Sequence, residues 1–369
     1  MNLNWINKIV ANIDKILLII ISIIISLYLI ETYLFFLTKK IYDTNKIETL
    51  EKINFYKQGK ILAVNPNNHL INQKQDFLPL SGISHENTIY CNEEGYYAKY
   101  NSDRYGFNNP DDIWDNSIID YLLIGDSFVQ GACVYEKHNI SGNLKKISNK
   151  KVLNLGQDSN GPLINLATIR EYLFKDKVKN VLWFYYEGND LYDLQYEIKF
   201  DILKKYISDE NFSQNLLNQQ SKIDKLNLEI LQSKFNENKE SLKDLNKNKI
   251  NFSFKFYYLR NFLFYKDNQK LLNEFEIIIK SLKDFKNKNN LKLYFIYLPE
   301  FKRYSTYVYK NNNYEKIKKI IDNLDIEFID LHKELFKNEY SVELFSKEKT
   351  HYSKKGYKLV ASKIYEIIK

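Results

Sequence analysis

A serine at the end of a buried strand is the first candidate for chemistry in this sequence. The apolar run Ile118–Ile124 ends at Gly125-Asp126-Ser127, and a helical segment follows. In an open α/β sheet, ligands bind at the carboxyl ends of parallel strands, where such a side chain would lie. Asp and Ser are also common helix N-caps, so the tripeptide alone does not distinguish a nucleophile from a cap. Ser127 is the candidate nucleophile if the rest of the chain supplies its partners.

Three more residues are able to complete acyl-transfer chemistry. Attack on an ester requires a nucleophile, a base, a group that orients the base, and donors for the developing oxyanion. Gly156 and Asn189 each follow a predicted strand. The backbone N–H groups of Ser127 and Gly156 and the side-chain amide of Asn189 are therefore candidate oxyanion donors. His351 precedes the C-terminal helix, and it is the candidate base because the ordinary pKa of histidine lies near neutrality.

These motifs resemble the four blocks of the SGNH (GDSL-type) hydrolase family. Gly125–Phe128 (GDSF), Gly156, Gly188-Asn189 and His351 occur in the family's order, and the resemblance covers residues 121 to 369 apart from an insertion. It implies a flavodoxin-like sheet and a serine esterase or acyltransferase without a metal or other cofactor. In that pattern Ser127 attacks, His351 accepts its proton, and Gly156 and Asn189 stabilise the oxyanion.

The sequence departs from the family's pattern at the acid. The family usually has an Asp three residues before the His, and this chain has Glu348 there; no Asp follows Asp330. A Glu can orient an imidazole, although its longer side chain changes the geometry. The expectation is a Ser127–His351–Glu348 triad or a Ser-His dyad. The alternative is an inactive SGNH-fold scaffold that binds a glycan or a protein partner.

Apolar runs and helical patterns alternate over most of the chain after residue 115. This alternation predicts a three-layer, doubly wound α/β fold with a mostly parallel sheet of five strands. A helical insertion at about 192–266 interrupts it, and its apolar spacing fits an amphipathic hairpin. A packed cap, a substrate lid, a partner-binding arm and a membrane-touching surface are all open interpretations of the insertion. The five predicted strands are Ile118–Ile124, Lys151–Leu155, Asn180–Tyr186, Leu291–Leu298 and Ile326–Ile329.

The N-terminal part is predicted to form an anchor (1–40) and an extension (41–115) ahead of the hydrolase domain (116–369). A helix over Ile16–Leu37 would be about 33 Å long, enough to cross a bilayer. A long apolar segment without a small-residue cleavage motif favours an uncleaved signal anchor. The extension mixes turns with short strands, and the expectation is that it covers a sheet edge, with a role in shaping the mouth of the site as the alternative.

The lysine distribution and the family resemblance predict opposite sides of the membrane for the large domain. Lys8 and Lys15 precede the predicted span, whereas five lysines follow it by residue 57, and this count places the large domain inside. The family resemblance favours the outer side. The expectation is an extracytoplasmic domain, on the periplasmic or cell-surface side, with the side left open.

Composition limits the partners. The net charge is +8, but the lysines are spread evenly among acidic and amide residues, which excludes a compact nucleic-acid surface. The expected partners are the membrane, an acylated small molecule or carbohydrate, and a membrane protein that the insertion would bind. The carbohydrate follows from the resemblance alone. Cys91 and Cys133 are able to pair if the domain is exported and are otherwise buried thiols.

Overall fold

The computed structural model describes residues 15–33, 50–70, 76–173, 176–244, 269–305, 311, 313–337 and 341–369, without the side chains of 238–244. Residues 1–58 and 234–267 form one compact unit, and residues 59–233 and 268–369 form another. The candidate active site lies entirely in the second unit.

The first unit contains an apolar helix, α1 (Lys15–Tyr33), with a mean hydropathy of 2.4. By length and composition α1 is able to cross a membrane. Its apolar side chains are solvent-exposed, as in Leu29, which is 66% exposed. Helix α2 spans residues 50–57, and its Tyr56 ring stacks on Phe235 at 4.4 Å. The predicted end of the span, 34–37, lies outside the described residues.

The second unit begins with the extension, which forms a small three-stranded sheet. Its strands are β1 (Ile61–Leu62), β2 (Asn87–Ile89) and β3 (Lys99–Asn101). Strand β2 pairs parallel to β1 and antiparallel to β3. The connection between β2 and β3 is a hairpin, in which the Tyr90 N–H donates to Ala98 O and the Ala98 N–H donates to Cys91 O, each at 2.9 Å.

The main sheet has five strands in the order β5-β4-β6-β7-β8, and every pairing is parallel. The predicted fold class is confirmed. The strands are nearly continuous apolar runs because helices cover both faces of the sheet. Their bounds are β4 Ile119–Ile124, β5 Val152–Asn154, β6 Val178–Tyr186, β7 Lys292–Leu298 and β8 Glu327–Asp330.

Helices α5, α9 and α11 pack on one face of this sheet, and helices α4 and α12 pack on the other, as the two hydrophobic clusters show. The helix bounds are α3 Ser127–Gln130, α4 Ile140–Ser148, α5 Pro162–Tyr172, α6 Asp190–Glu197, α7 Asp201–Ser208, α8 Gln220–Asp244, α9 Gln269–Lys288, α10 Lys302–Ser305, α11 Asn313–Asn323 and α12 Lys354–Ile368. This is the three-layer arrangement expected from the alternation of strand and helix.

The insertion contributes most of α6, all of α7 and the long helix α8. Within the second unit, α8 packs against the extension: buried Ile223 lies in the main core cluster, and buried Asn227 bonds His69 Nε2 at 2.7 Å. Residues 245–268, which include the aromatic end of the insertion, lie outside the described residues. The hairpin and its role as a partner-binding arm stay predictions.

Candidate active site

The Gly125-Asp126-Ser127 turn supplies both a helix cap and a candidate nucleophile. Asp126 is the N-cap of α3, and its Oδ1 accepts the Phe128 N–H at 2.9 Å. Gly125 has no room for a side chain, since a Cβ there would lie 2.6 Å from Val129 Cγ2. Because Asp126 performs the capping, the hydroxyl of Ser127 at the first helical position is left for another partner.

That partner is His351. Ser127 Oγ lies 2.8 Å from His351 Nε2, although the two residues are 224 positions apart. The His351 carbonyl accepts the Ser346 N–H at 2.8 Å, and the imidazole packs against the Phe128 ring at a centroid distance of 4.9 Å. The structure therefore brings together the serine and the histidine selected from the sequence.

The carboxylate on the other imidazole nitrogen belongs to Glu93. Glu93 Oε1 lies 2.6 Å from His351 Nδ1, and Oε2 accepts the His351 backbone N–H at 3.1 Å and the Ser346 hydroxyl at 2.6 Å. A carboxylate at Nδ1 holds the imidazole proton there and leaves Nε2 to accept the serine hydroxyl proton. Ser127, His351 and Glu93 thus have the hydrogen-bond order of a serine-hydrolase triad.

Glu348, which was expected to orient His351, does not occupy that position. Its side chain is exposed, in a turn where Lys349 adopts a left-handed φ of 62° and donates its N–H to Ser346 O at 3.1 Å. The turn separates Glu348 from the imidazole, so the spacing of three residues does not place this carboxylate at Nδ1.

A disulfide joins the turn that carries Glu93 to the segment that follows the nucleophile helix. Cys91 and Cys133 are bonded, with a Cα–Cα distance of 4.8 Å. Cys91 is two residues before Glu93, and Cys133 is three residues after the end of α3. Cys91 and Cys133 are therefore a disulfide rather than two buried thiols. The bond is a short covalent link between the segment that contains Glu93 and the segment that contains Ser127.

Two of the three candidate oxyanion donors remain available. The Ser127 N–H is the first of a helix and has no acceptor within that helix. Asn189 is the N-cap residue of α6, and its Nδ2 donates one hydrogen to Asp193 Oδ2 at 2.8 Å, which leaves a second N–H.

The Gly156 N–H, by contrast, donates to Asn154 Oδ1 at 2.9 Å and is not a free donor. The lack of a side chain at Gly156 serves packing instead, since a Cβ there would lie 2.5 Å from the Gln130 backbone N. Gly156 was selected from the sequence as an oxyanion donor, and in the structure its N–H is bonded within the chain.

The electrostatics of the Glu93–His351 pair favour a charged carboxylate and a basic imidazole. Burial raises the pKa of Glu93, but the hydrogen bond and charge of His351 and the bond from Ser346 outweigh it, so the net pKa is lowered. Burial lowers the pKa of His351, but the hydrogen bond and charge of Glu93 outweigh it, so the net pKa is raised. Glu93 is therefore positioned to stabilise an imidazolium at His351.

Burial raises the pKa of four acidic side chains, Asp126 at the cap of α3 and three residues of α6. Burial raises the pKa of Asp126 to about 7 and that of Asp193 to about 9. Burial, opposed by backbone N–H bonds, raises the pKa of Glu197 to about 8, and burial with nearby acidic charge raises that of Asp190 well above its ordinary value.

The donor atoms at the site do not fit a metal ion. Among the described residues, potential ligand atoms of Glu93, Cys133 and His351 lie within 4.8 Å of one another. The Cys133 sulfur is bonded in the disulfide, and Glu93 and His351 are already hydrogen-bonded to each other. These residues are arranged for proton transfer.

No family model and no curated protein matches the chain. The chain resembles solved SGNH-type proteins. An acetyl xylan esterase, AlAXEase, is 12% identical with a TM-score of 0.40, and 68% of this chain covers 100% of it. A lipolytic G-D-S-L family member from Veillonella parvula is 12% identical with a TM-score of 0.39, covering 68% of this chain and 98% of that one.

A lipase/acylhydrolase from Enterococcus faecalis is also 12% identical, with a TM-score of 0.37, covering 68% of this chain and 95% of that one. At these identities and scores, the similarities carry no weight for the chemistry of this chain. That chemistry is argued from the contacts of Ser127, His351 and Glu93.

Proposed function

We propose that this protein is a serine ester hydrolase or acyltransferase of the SGNH type, held at a membrane by α1 and acting on small acyl esters. The observation that carries the proposal is the continuous hydrogen-bond chain from Ser127 through His351 to Glu93. A positioned nucleophile, its base and the group that orients the base are the parts that covalent acyl transfer requires. Acetyl is the expected acyl group, on the family resemblance alone.

In the first half-reaction Ser127 Oγ attacks the ester carbonyl carbon while His351 Nε2 accepts the hydroxyl proton. The carbonyl electrons move to oxygen, and the Ser127 N–H and the second N–H of Asn189 stabilise that oxyanion. Glu93 stabilises the imidazolium. Collapse of the intermediate expels the alcohol, which takes the proton from Nε2 and leaves an acyl-serine.

The second half-reaction returns the serine. A hydroxyl compound loses its proton to His351 Nε2 and attacks the acyl carbon, and Ser127 Oγ leaves with that proton. If the attacking hydroxyl is water, the result is hydrolysis; if it belongs to a sugar, the result is transfer. Both use the same three side chains, so product analysis with and without an acceptor alcohol distinguishes them.

The scaffold alternative depended on the absence of a well-placed acid. Glu348 is exposed, but Glu93 occupies the position that the alternative left empty. The geometry of Ser127, His351 and Glu93 therefore supports an enzyme over a non-catalytic binding protein.

The disulfide supports an extracytoplasmic domain. Disulfides form and persist in oxidising compartments and are rare where thiols are kept reduced. This argument opposes the lysine count around α1. Protease digestion of intact spheroplasts and of lysed spheroplasts tests it: a domain outside the membrane is cut in both, and a domain inside is cut only after lysis.

A fluorophosphonate probe tests the nucleophile. The full-length protein in detergent should be labelled on Ser127 and should hydrolyse p-nitrophenyl acetate, and Ser127→Ala should lose both properties. Ser148→Ala, which removes a hydroxyl bonded among the described residues to the Leu144 carbonyl and the Lys150 N–H, is the control and should keep both. Equal labelling and equal hydrolysis in Ser127→Ala would contradict the proposal.

A further inference from the structure

A second feature of this unit is a cavity of about 420 Å³ beside the candidate active site. This volume falls within the range of ligand pockets, about 300–1,000 Å³. Its lining includes Asn65, Asn67 and Asn68 of the extension and Tyr192, Asp193 and Tyr196 of α6. None of these residues takes part in the Ser127–His351–Glu93 chain.

Hydrogen bonds connect the cavity lining to Asn189 and to helix α3. Asp193 lines it and accepts the hydrogen bond from Asn189 Nδ2 at 2.8 Å, so one wall contacts a candidate oxyanion donor. Ser159 also lines it, and its neighbour Asp158 donates its N–H at 2.8 Å to Oε1 of Gln130, the last residue of the nucleophile helix. A molecule bound here would contact Asp193, which is hydrogen-bonded to a candidate oxyanion donor.

The asparagine wall is fixed by hydrogen bonds to the loop after β5. Asn65 and Asn68 form a reciprocal capping box, each accepting the other's backbone N–H at 3.2 Å. Asn65 Nδ2 donates to Asp158 Oδ2 at 3.1 Å, and Asn67 Nδ2 donates to Ser159 O. Amide groups held in place are suited to pair with hydroxyl groups, since they contain both donors and acceptors.

The opposite wall is aromatic and open to solvent. Tyr192 is 57% exposed and Tyr196 is 43% exposed, and the two rings lie one turn apart on the same helix face. The rings pack edge to face at 5.0 Å, and their hydroxyl oxygens lie 2.6 Å apart. The Lys199 ammonium lies 4.6 Å from the Tyr196 ring centroid. Exposed rings of this kind offer apolar faces for a flat apolar surface to stack on.

The charge of the lining favours a neutral ligand. Burial keeps Asp193 protonated at neutral pH, so it presents a carboxylic acid rather than a negative charge. Lys199 supplies a single cation, already placed on the Tyr196 ring. Fixed amides, a neutral acid and exposed rings match a molecule that has an apolar face and a rim of hydroxyls.

We propose that this cavity is a subsite for an uncharged sugar ring of an O-acylated glycan, with Tyr192 stacking on the ring's apolar face and Asn65 and Asn68 pairing with its hydroxyls. The inference rests on the proposed function for the reaction, and it names the substrate class. Because Asp193 connects the cavity wall to Asn189, a sugar held here would contact a residue that is hydrogen-bonded to a candidate oxyanion donor.

Binding is measured first, without turnover. Full-length Ser127→Ala in detergent is titrated with the neutral disaccharides cellobiose, xylobiose and N,N′-diacetylchitobiose. At least one should bind, and adding Tyr192→Ala should weaken that binding about tenfold, the expected effect of a lost aromatic contact. Tyr192→Phe, which keeps the ring, should bind within about threefold of the parent. Ile277→Ala, at an exposed position on α9, is the surface control and should bind as the parent does.

Turnover is measured second, on acetylated disaccharide and on p-nitrophenyl acetate. In Tyr192→Ala the fall in kcat/KM on the acetylated sugar should exceed the fall on p-nitrophenyl acetate by about tenfold. Absence of binding to all three disaccharides, or binding that Tyr192→Ala does not weaken, overturns the subsite. Sugar binding without any Ser127-dependent hydrolysis overturns the proposed function and leaves the subsite standing, so the two failures are distinguishable.

Discussion

Glu93 Oε1 and His351 Nδ1 are 2.6 Å apart, although 258 residues separate them in the chain. The acid of the candidate triad therefore comes from the extension that precedes the main sheet, and the base comes from the segment before the last helix. The extension was expected to cover a sheet edge. It supplies a side chain to the site and, through Cys91, a covalent link to the segment after α3.

Glu93→Gln should reduce kcat for p-nitrophenyl acetate by a factor on the order of 10²–10⁴, because an amide neither fixes the imidazole tautomer nor stabilises the imidazolium. Glu348→Gln is the matched control, since it makes the same change on an exposed side chain, and it should retain wild-type activity. Steady-state kinetics on both variants, with circular dichroism to confirm folding, provide the measurement. A larger loss in Glu348→Gln than in Glu93→Gln would return the acid to the position predicted from the sequence.

The pH dependence of kcat/KM should report the same pair. His351 acts as a base only when neutral, and its pKa is raised above the ordinary value of about 6.5, so activity should fall as the pH drops through that raised pKa. In Glu93→Gln no carboxylate raises the pKa of His351, whereas burial still lowers it. The acidic limb should therefore move to lower pH, on a lower plateau. An acidic limb that keeps its wild-type midpoint in Glu93→Gln would show that Glu93 does not control the protonation of His351.

Most of the main sheet could be predicted from the sequence, because the patterns that indicate its strands and helices are local. Each strand of the main sheet is a short apolar run followed by a helix, and this pattern alone indicates a parallel sheet with both faces covered. Ser127 and Asn189 follow directly from strand ends. Their placement needed only the rule that parallel strands bring their carboxyl ends to one edge.

Glu93 could not be identified as the acid from the sequence, because its position beside His351 depends on contacts between distant parts of the chain. Asn92-Glu93-Glu94-Gly95 has the composition of an ordinary turn, and no period or spacing connects it to His351. The one signal in the sequence was Cys91, two residues away, together with a second cysteine shortly after the nucleophile. Pairing those cysteines in advance would have brought Glu93 near the site.

The disulfide should stabilise the second unit and hold Glu93 in place. The bond closes a loop with a sequence separation of 42, for which the chain-entropy treatment gives about 4 kcal/mol of stabilisation. The double variant Cys91→Ser/Cys133→Ser should unfold at lower denaturant concentration and show reduced kcat, because the Glu93 turn loses its covalent link.

Reductant should lower the activity of the wild type toward that of the double variant and should leave the double variant unchanged. Denaturation curves and kinetics with and without dithiothreitol are the measurements. Equal stability and equal kcat in the wild type and the double variant would remove the disulfide from any role in positioning Glu93.

Asn189 and Gly156 should behave differently when replaced by alanine, although both were selected as oxyanion donors. Asn189→Ala removes the amide whose second N–H is available, and it should lower kcat by about 10²–10³-fold. In Gly156→Ala the new Cβ meets the Gln130 backbone N at 2.5 Å, so the first effect should be a loss of about 1–3 kcal/mol in the free energy of unfolding.

Kinetics and denaturant titrations on the same preparations separate the two effects. The Gly156 N–H is already bonded to Asn154 Oδ1. We therefore expect any loss of activity in Gly156→Ala to come from displacement of α3 and to be accompanied by a loss of stability. A stable Gly156→Ala protein with a kcat as low as that of Asn189→Ala would instead assign the Gly156 N–H to the oxyanion, with Asn154 releasing it when substrate binds.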